Sequence, residues 1–304
     1  MLSAGGVRGV AFAGAVHELT RLGILDLRRV TLFAGTSVGA LVAALLAVGC
    51  TPEELLHVAH HLDLSQFVQV NLATLVYSWG LDDQSRLRAF LGQHVARKLG
   101  RASVTLGELQ TTTGREVCFC VTNVTLNRPE YFTTATHPSM ALVDAVLMSM
   151  ALPPVFAPVK HHGALYIDGA FLDSFPIRDL DPATTLGLRL RWAVACNLDS
   201  IEQFYSRLAF CALHYAERTP PAGGPPVVDI DVGDVSTVNF TLPRWNVDKL
   251  IDDGRTAVAR FVLRKVLDPD KRRMDLPQAD TQVHEDKDEH DGQDDAPERG
   301  LPAR

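Results

Sequence analysis

Gly35-Thr36-Ser37-Val38-Gly39 fits G-x-S-x-G and lies where a short apolar run ends and a run of small residues begins. A serine on a tight strand-to-helix turn is presented as a nucleophile, and the N–H groups and dipole of the helix start favour negative charge beside it. Gly35 and Gly39, two before and two after, remove side chains that would collide as strand and helix approach. The competing reading is a plain helix cap, because threonine and serine are good capping residues.

A serine hydroxyl also needs a base to take its proton. Eleven histidines are available, but those after Asp168 are His214, in a helical pattern, and His284 and His290, in a polar tail. The 36 residues before Ser37 leave room for two short strands and one helix, fewer than an α/β-hydrolase places before its nucleophile. Asp168 is the better candidate. It ends the short run Leu165-Tyr166-Ile167 and precedes Gly169-Ala170, a turn able to project a carboxylate toward Ser37. A carboxylate serves as direct base when burial raises its pKa toward the working pH. The alternative is an aspartate that only initiates a turn.

Acyl transfer at Ser37 would need donors for the oxyanion. Ser3-Ala4-Gly5-Gly6-Val7-Arg8-Gly9 supplies a glycine-rich turn between a first strand and a first helix. Arg8 would hold this turn or attract an anionic head group. The segment lacks G-x-G-x-x-G and has no G-K-[ST], so it matches neither a dinucleotide fingerprint nor a P-loop. A turn with only a packing role is the remaining alternative.

These residues require a scaffold of strands and crossover helices. Helical spacing predicts helices at Val10–Leu22, Ser37–Val48, Leu87–Leu99, Ala141–Met150, Phe204–Glu217 and Val247–Leu267, with a further start at Thr51-Pro52. Strands are expected at Leu2-Ser3, Val30–Ala34, Glu116–Val124, Leu165–Asp168, Leu188–Cys196 and Val227–Val232. The alternation argues for an α/β fold with a parallel sheet. Residues 1–267 read as one globular domain. Residues 268–304, with twelve acidic and six basic side chains, read as a disordered acidic tail.

The net charge of −7 resides mostly in that tail, so the domain offers no basic surface for nucleic acid. The most apolar run, Val38 to Cys50, is too short to span a bilayer, and no secretory signal opens the chain. Cys50, Cys118, Cys120, Cys196 and Cys211 show no paired spacing and read as free thiols of a reducing compartment. The pairs His60-His61 and His161-His162 lack a third ligand and read as surface or packing residues, so no metal is expected. From Leu62 to Gly80 the pattern weakens and Phe67, Tyr77 and Trp79 appear. That stretch is an acyl-chain wall, an interfacial flap or ordinary core.

Together the motifs resemble the patatin-like phospholipase family. Ala4-Gly5-Gly6-Val7-Arg8-Gly9 is similar to its oxyanion loop G-G-G-x-[KR]-G, with Ala4 in place of the first glycine. Gly35–Gly39 is similar to its nucleophile elbow. Ser149-Met150-Ala151-Leu152-Pro153-Pro154-Val155-Phe156-Ala157-Pro158-Val159 resembles A-S-x-A-x-P-x-x-F-x-P-V. Asp168-Gly169-Ala170 resembles D-G-[GA], and Phe175-Pro176-Ile177 the following N-x-P-[VI], with Ser174 in place of asparagine. The resemblance implies a three-layer α/β/α sandwich with a mostly parallel sheet and a Ser37–Asp168 dyad without histidine. It further implies an oxyanion hole from Gly5, Gly6, Arg8 and Gly9, and hydrolysis of lipid acyl esters without cofactor or metal. The expected partner is lipid at a membrane or droplet surface, met peripherally from the cytoplasm. An acyltransferase using the same dyad and a non-catalytic lipid-binding protein are the alternatives.

Overall fold

The computed structural model describes residues 1–61, 64–177, 180–191, 223–233, 235 and 240–267. Strands β1 (Leu32–Thr36) and β2 (Glu116–Asn123) pair in parallel, from Leu32 opposite Glu116 to Thr36 opposite Cys120. Leu2 bridges in parallel to both Gly35 and Leu188, joining this pair to the parallel strands β6 (Gly187–Arg191) and β7 (Val227–Asp231). β3 (Arg128–Thr133) and β5 (Ala164–Asp168) both run antiparallel to β2, and β4 (Val159–His161) forms a hairpin with β5.

The α/β expectation holds, but the sheet is mixed where a mostly parallel one was predicted. After β2 the chain returns by tight turns, at Asn127 (φ 50°) and at His162-Gly163 (φ 46° and 79°), and a tight turn can join only antiparallel neighbours. β1 also begins and ends two residues later than Val30–Ala34, which carries the strand right up to Ser37.

The register on β2 decides the geometry of everything below. β3 occupies one edge across residues 118–123, so β1 and β5 share the other. β1 pairs there with residues 116–120 and β5 with 121–123, in opposite directions. The two strands therefore meet end to end, Thr36 opposite Cys120 and Asp168 opposite Val121.

Helices cover the sheet in two layers. α1 (Val10–Arg21) packs on the long C-terminal helix α8 (Arg244–Leu267), with α3 (Pro52–His61) beside them. α2 (Val38–Ala47), α5 (Ser85–Leu99) and α7 (Leu142–Ser149) form the group against β1 and β2. α2 is buried at every position from Gly39 to Ala47, as suits a helix that is apolar all round. Two further short helices are described, α4 (Leu72–Ser78) and α6 (Leu106–Thr113). The latter is started by a Thr105–Glu108 capping box. Phe12, Leu19, Leu91, Phe119, Phe132 and Leu142 are among the largest fully buried side chains.

Among the described residues no helix is long and apolar enough to cross a membrane. Cys50, Cys118 and Cys120 are free thiols, whereas Cys196 and Cys211 lie outside the described residues. The strand expected to reach Cys196 is described only to Arg191, and the helix expected at 204–217 and the tail at 268–304 also fall outside.

Candidate active site

Ser37 sits between β1 and α2 with φ 58° and ψ −128°, a conformation that non-glycine residues rarely hold without surrounding support. The support is visible. Its N–H donates to Ser149 Oγ (2.9 Å), and the Ser149 hydroxyl donates to the Cys120 carbonyl (2.7 Å), tying the elbow to β2 through a fully buried side chain. Its carbonyl accepts the N–H of Ala40 (2.8 Å) as the first turn of α2. A Cβ on Gly35 would lie 2.3 Å from the Gly39 carbonyl, and one on Gly39 would lie 2.4 Å from the Leu2 carbonyl. Both elbow glycines are thus demanded by backbone crossing backbone.

The Ser37 hydroxyl donates to Asp168 Oδ2 at 2.5 Å, and the Ala170 N–H donates to Oδ1 at 2.8 Å. The Asp168 N–H is held by the Ala151 carbonyl (2.8 Å). Gly169 lets the chain pass over β2, since a Cβ there would lie 2.3 Å from the Cys120 carbonyl. Asp168 is almost wholly buried, and that desolvation raises its pKa from the usual carboxylate value to about 7, against the opposing pull of its two hydrogen bonds. A carboxyl poised there accepts a proton at neutral pH and can return it.

The pair lies in a narrow cleft. Its walls are Val38 and Leu41 of α2, Leu87 of α5, Phe67, the post-α7 residues Met150, Leu152 and Phe156, and Phe240. Gly6 and Val7 of the glycine turn close one side. Gly5 and Gly9 stand behind, packed on Leu190 and Val38. The Arg8 side chain does not face the cleft. It is buried and donates through Nε to the Val235 carbonyl (2.5 Å), so of its two expected roles the structure supports anchoring the turn. Burial lowers its pKa to about 10, which still leaves it charged at neutral pH. No histidine lines the cleft among the described residues, and His214 lies outside them. Phe67 takes the wall position that was one of the readings of its stretch, whereas Phe240 and the role of Ser149 were not anticipated at this site. Ser149 stands 112 residues from Ser37 and its bond has no local signature.

The order of these parts along the chain is not unique to it. A family model described as patatin-like phospholipase matches residues 1–181, more than half the chain. The chain belongs to the patatin-like phospholipase family. It is 29% identical over 183 residues to a protein named probable lipid hydrolase 463L from Invertebrate iridescent virus 6, a match covering 58% of this chain and 61% of the viral one. The chain thus spans less than two thirds of that relative. The uncharacterized protein YqhO of Bacillus subtilis is 28% identical over 290 residues, 86% of this chain and 97% of that protein. The fold is similar to the crystal structure of VipD from Legionella pneumophila, with a TM-score of 0.57 and 17% identity over 86% of this chain and 66% of that one.

One departure from the patatin-like motifs finds a structural account. Ala4 is not among the described non-glycine residues with positive φ, so the position needs no glycine, and its N–H is bound by the Ser174 carbonyl (2.9 Å). It is the main chain at Ser174 that makes this contact.

Proposed function

We propose that this protein is a lipid acyl hydrolase of phospholipase A type, working through a Ser37 acyl-enzyme with Asp168 as base. The observation that carries the reading is the 2.5 Å hydrogen bond from a strained serine to a buried carboxyl with a pKa near 7. Ser37 Oγ attacks the ester carbonyl carbon while its proton passes to Asp168 Oδ2. Main-chain N–H groups of the turn containing Gly5, Gly6, Arg8 and Gly9 receive the oxyanion, Gly6 from the cleft wall itself. Collapse expels the alcohol, which leaves with the proton from Asp168. Water then attacks the acyl-enzyme and gives its proton to Asp168. The fatty acid departs as Ser37 regains its hydrogen.

The apolar walls at Leu41, Phe67, Leu87 and Phe156 suit an acyl chain. Family membership supports lipid as the substrate class, and the reading has it met peripherally at a membrane or droplet surface on the cytoplasmic side. Neither a cofactor nor a metal enters the steps above. The test is hydrolysis of a fluorogenic medium-chain ester and of phospholipid vesicles by the parent and by Ser37→Ala. A loss of at least about 1,000-fold in the variant, with its melting temperature retained, is expected. Equal rates in the two proteins, or inactivity of both on every lipid, would sink the reading.

A further inference from the structure

The segment from 64 to 81 contains no charged side chain and no histidine. It is fastened at its two ends and left open in the middle. The Asn71 N–H donates to the Leu81 carbonyl (2.9 Å), closing the loop. Buried Asp82 accepts the Gln69 N–H (2.6 Å), and its own N–H donates to the Val155 carbonyl (3.0 Å). The anchor strip therefore runs along residues 154–157, whose Phe156 lines the cleft, and Phe67 from the other end of the loop lines it too.

Four of the loop's apolar side chains turn outward. Val70 is 66% exposed, Val76 69%, Tyr77 85% and Trp79 57%. Trp79 ends α4 in the left-handed region (φ 63°), a C-cap position that favours glycine or asparagine. A tryptophan here works against the local backbone and leaves more than half of its surface in water, so packing gives it only a partial return. Tyrosine and tryptophan, with an apolar body and a polar edge, suit a lipid–water boundary. A segment of eighteen residues without a charge offers little of what usually orients a protein partner and keeps it in register.

We propose that this loop, through Val70, Val76, Tyr77 and Trp79, is the surface that seats the protein on a lipid bilayer beside the mouth of the Ser37 cleft. The proposal rests on the lipid-acyl reading of that cleft. The occupant is the bilayer interface itself, entered by side chains of a short helix lying flat, and Phe67 and Phe156 continue the apolar path inward.

The experiment is flotation of the Ser37→Ala protein with phosphatidylcholine vesicles, with and without the added changes Val76→Ser, Tyr77→Ser and Trp79→Asn. The three positions lie outside the cleft, and asparagine suits the left-handed cap, so the melting temperature is expected to hold. Partition onto vesicles should fall about tenfold or more, and should depend little on salt or on added anionic phosphatidylserine. With Ser37 intact, the triple variant should lose vesicle hydrolysis to a similar degree while retaining hydrolysis of a water-soluble short-chain ester. Unchanged partition, binding only to anionic vesicles, or a dimer of the parent that the triple variant dissolves would each overturn the proposal. Because flotation needs no turnover, an inert short-chain ester would count against the dyad and leave the docking result to decide the loop.

Discussion

The junction of β1 with β5 and the loop around α4 break the ordinary rules of burial in opposite ways. At the junction a carboxyl and a hydroxyl are taken out of water, and a serine is held at positive φ. In the loop a tryptophan and a tyrosine are left in water, and the tryptophan again occupies positive φ. Their surroundings differ as much as their polarity. Ser37 and Asp168 are tied by bonds from Ser149, Ala151 and Ala170, whereas the loop is fastened where it leaves and rejoins the body. Reacting groups need fixed distances, and a surface that enters a fluid interface does not. The two regions are local compromises of stability, each explained by what it would contact.

The largest effect that would break this contrast comes from Asp168→Asn. Activity should fall by about 100- to 10,000-fold, the range for loss of a general base. In the parent, activity should rise with pH through about 7 as Asp168 ionises. Stability should move the other way. The folded pKa lies above the unfolded value of 3.8, so the protonated form is the one that folding favours. That contribution is complete below about pH 4 and is lost as pH rises through about 7. Thermal unfolding at pH 8 should therefore find Asp168→Asn more stable than the parent by up to a few kcal/mol, with the gap closing by pH 4. A variant less stable than the parent at pH 8 would mean that the carboxylate is well solvated and the junction is not the compromise described.

Ser149→Ala removes the bond that holds the Ser37 N–H and the one to the Cys120 carbonyl. A fall in kcat of about tenfold is expected with KM little changed, together with a loss of roughly 1–3 kcal/mol from the unsatisfied groups. Threonine, which keeps the hydroxyl, should restore part of the rate. Trp79→Asn alone sharpens the other half of the contrast. It should raise stability slightly, by a few tenths to about 1 kcal/mol, because it relieves the left-handed cap. A marked loss on calorimetry would show that the indole is structural.

Much of the junction was legible in sequence because its demands are local. Gly35, Gly39 and Gly169 are imposed by backbone lying under 2.5 Å from where a Cβ would stand, and such positions leave glycines in the chain at readable spacings. The apolar runs of β1, β2 and β5 were visible for the same reason, though β1 was placed two residues early. β3 and β4 were missed. The first carries Pro129 and three charged or polar neighbours, the second is three residues long, and both leave side chains partly exposed, so neither shows a clean alternation. α6 was missed although Thr105 and Glu108 mark its start, because eight residues give little periodicity. The function of Ser149 was invisible, since a bond across 112 residues leaves no trace in spacing. The loop around α4 stayed ambiguous between wall, flap and core because the sequence shows apolarity but not which way it faces. Phe67 proves to be wall, and Tyr77 and Trp79 face outward.

The end-to-end meeting of β1 and β5 has a temporal side. The contact between Ser37 and Asp168 joins residues 131 apart, and β2 is the strand that aligns them both. Until β2 has docked both strands in register, the hydroxyl and the carboxyl have no reason to be near each other. A nascent or partly unfolded chain therefore carries an inert serine and an ordinary carboxylate. The chemistry proposed for this pair becomes available only with the finished sheet.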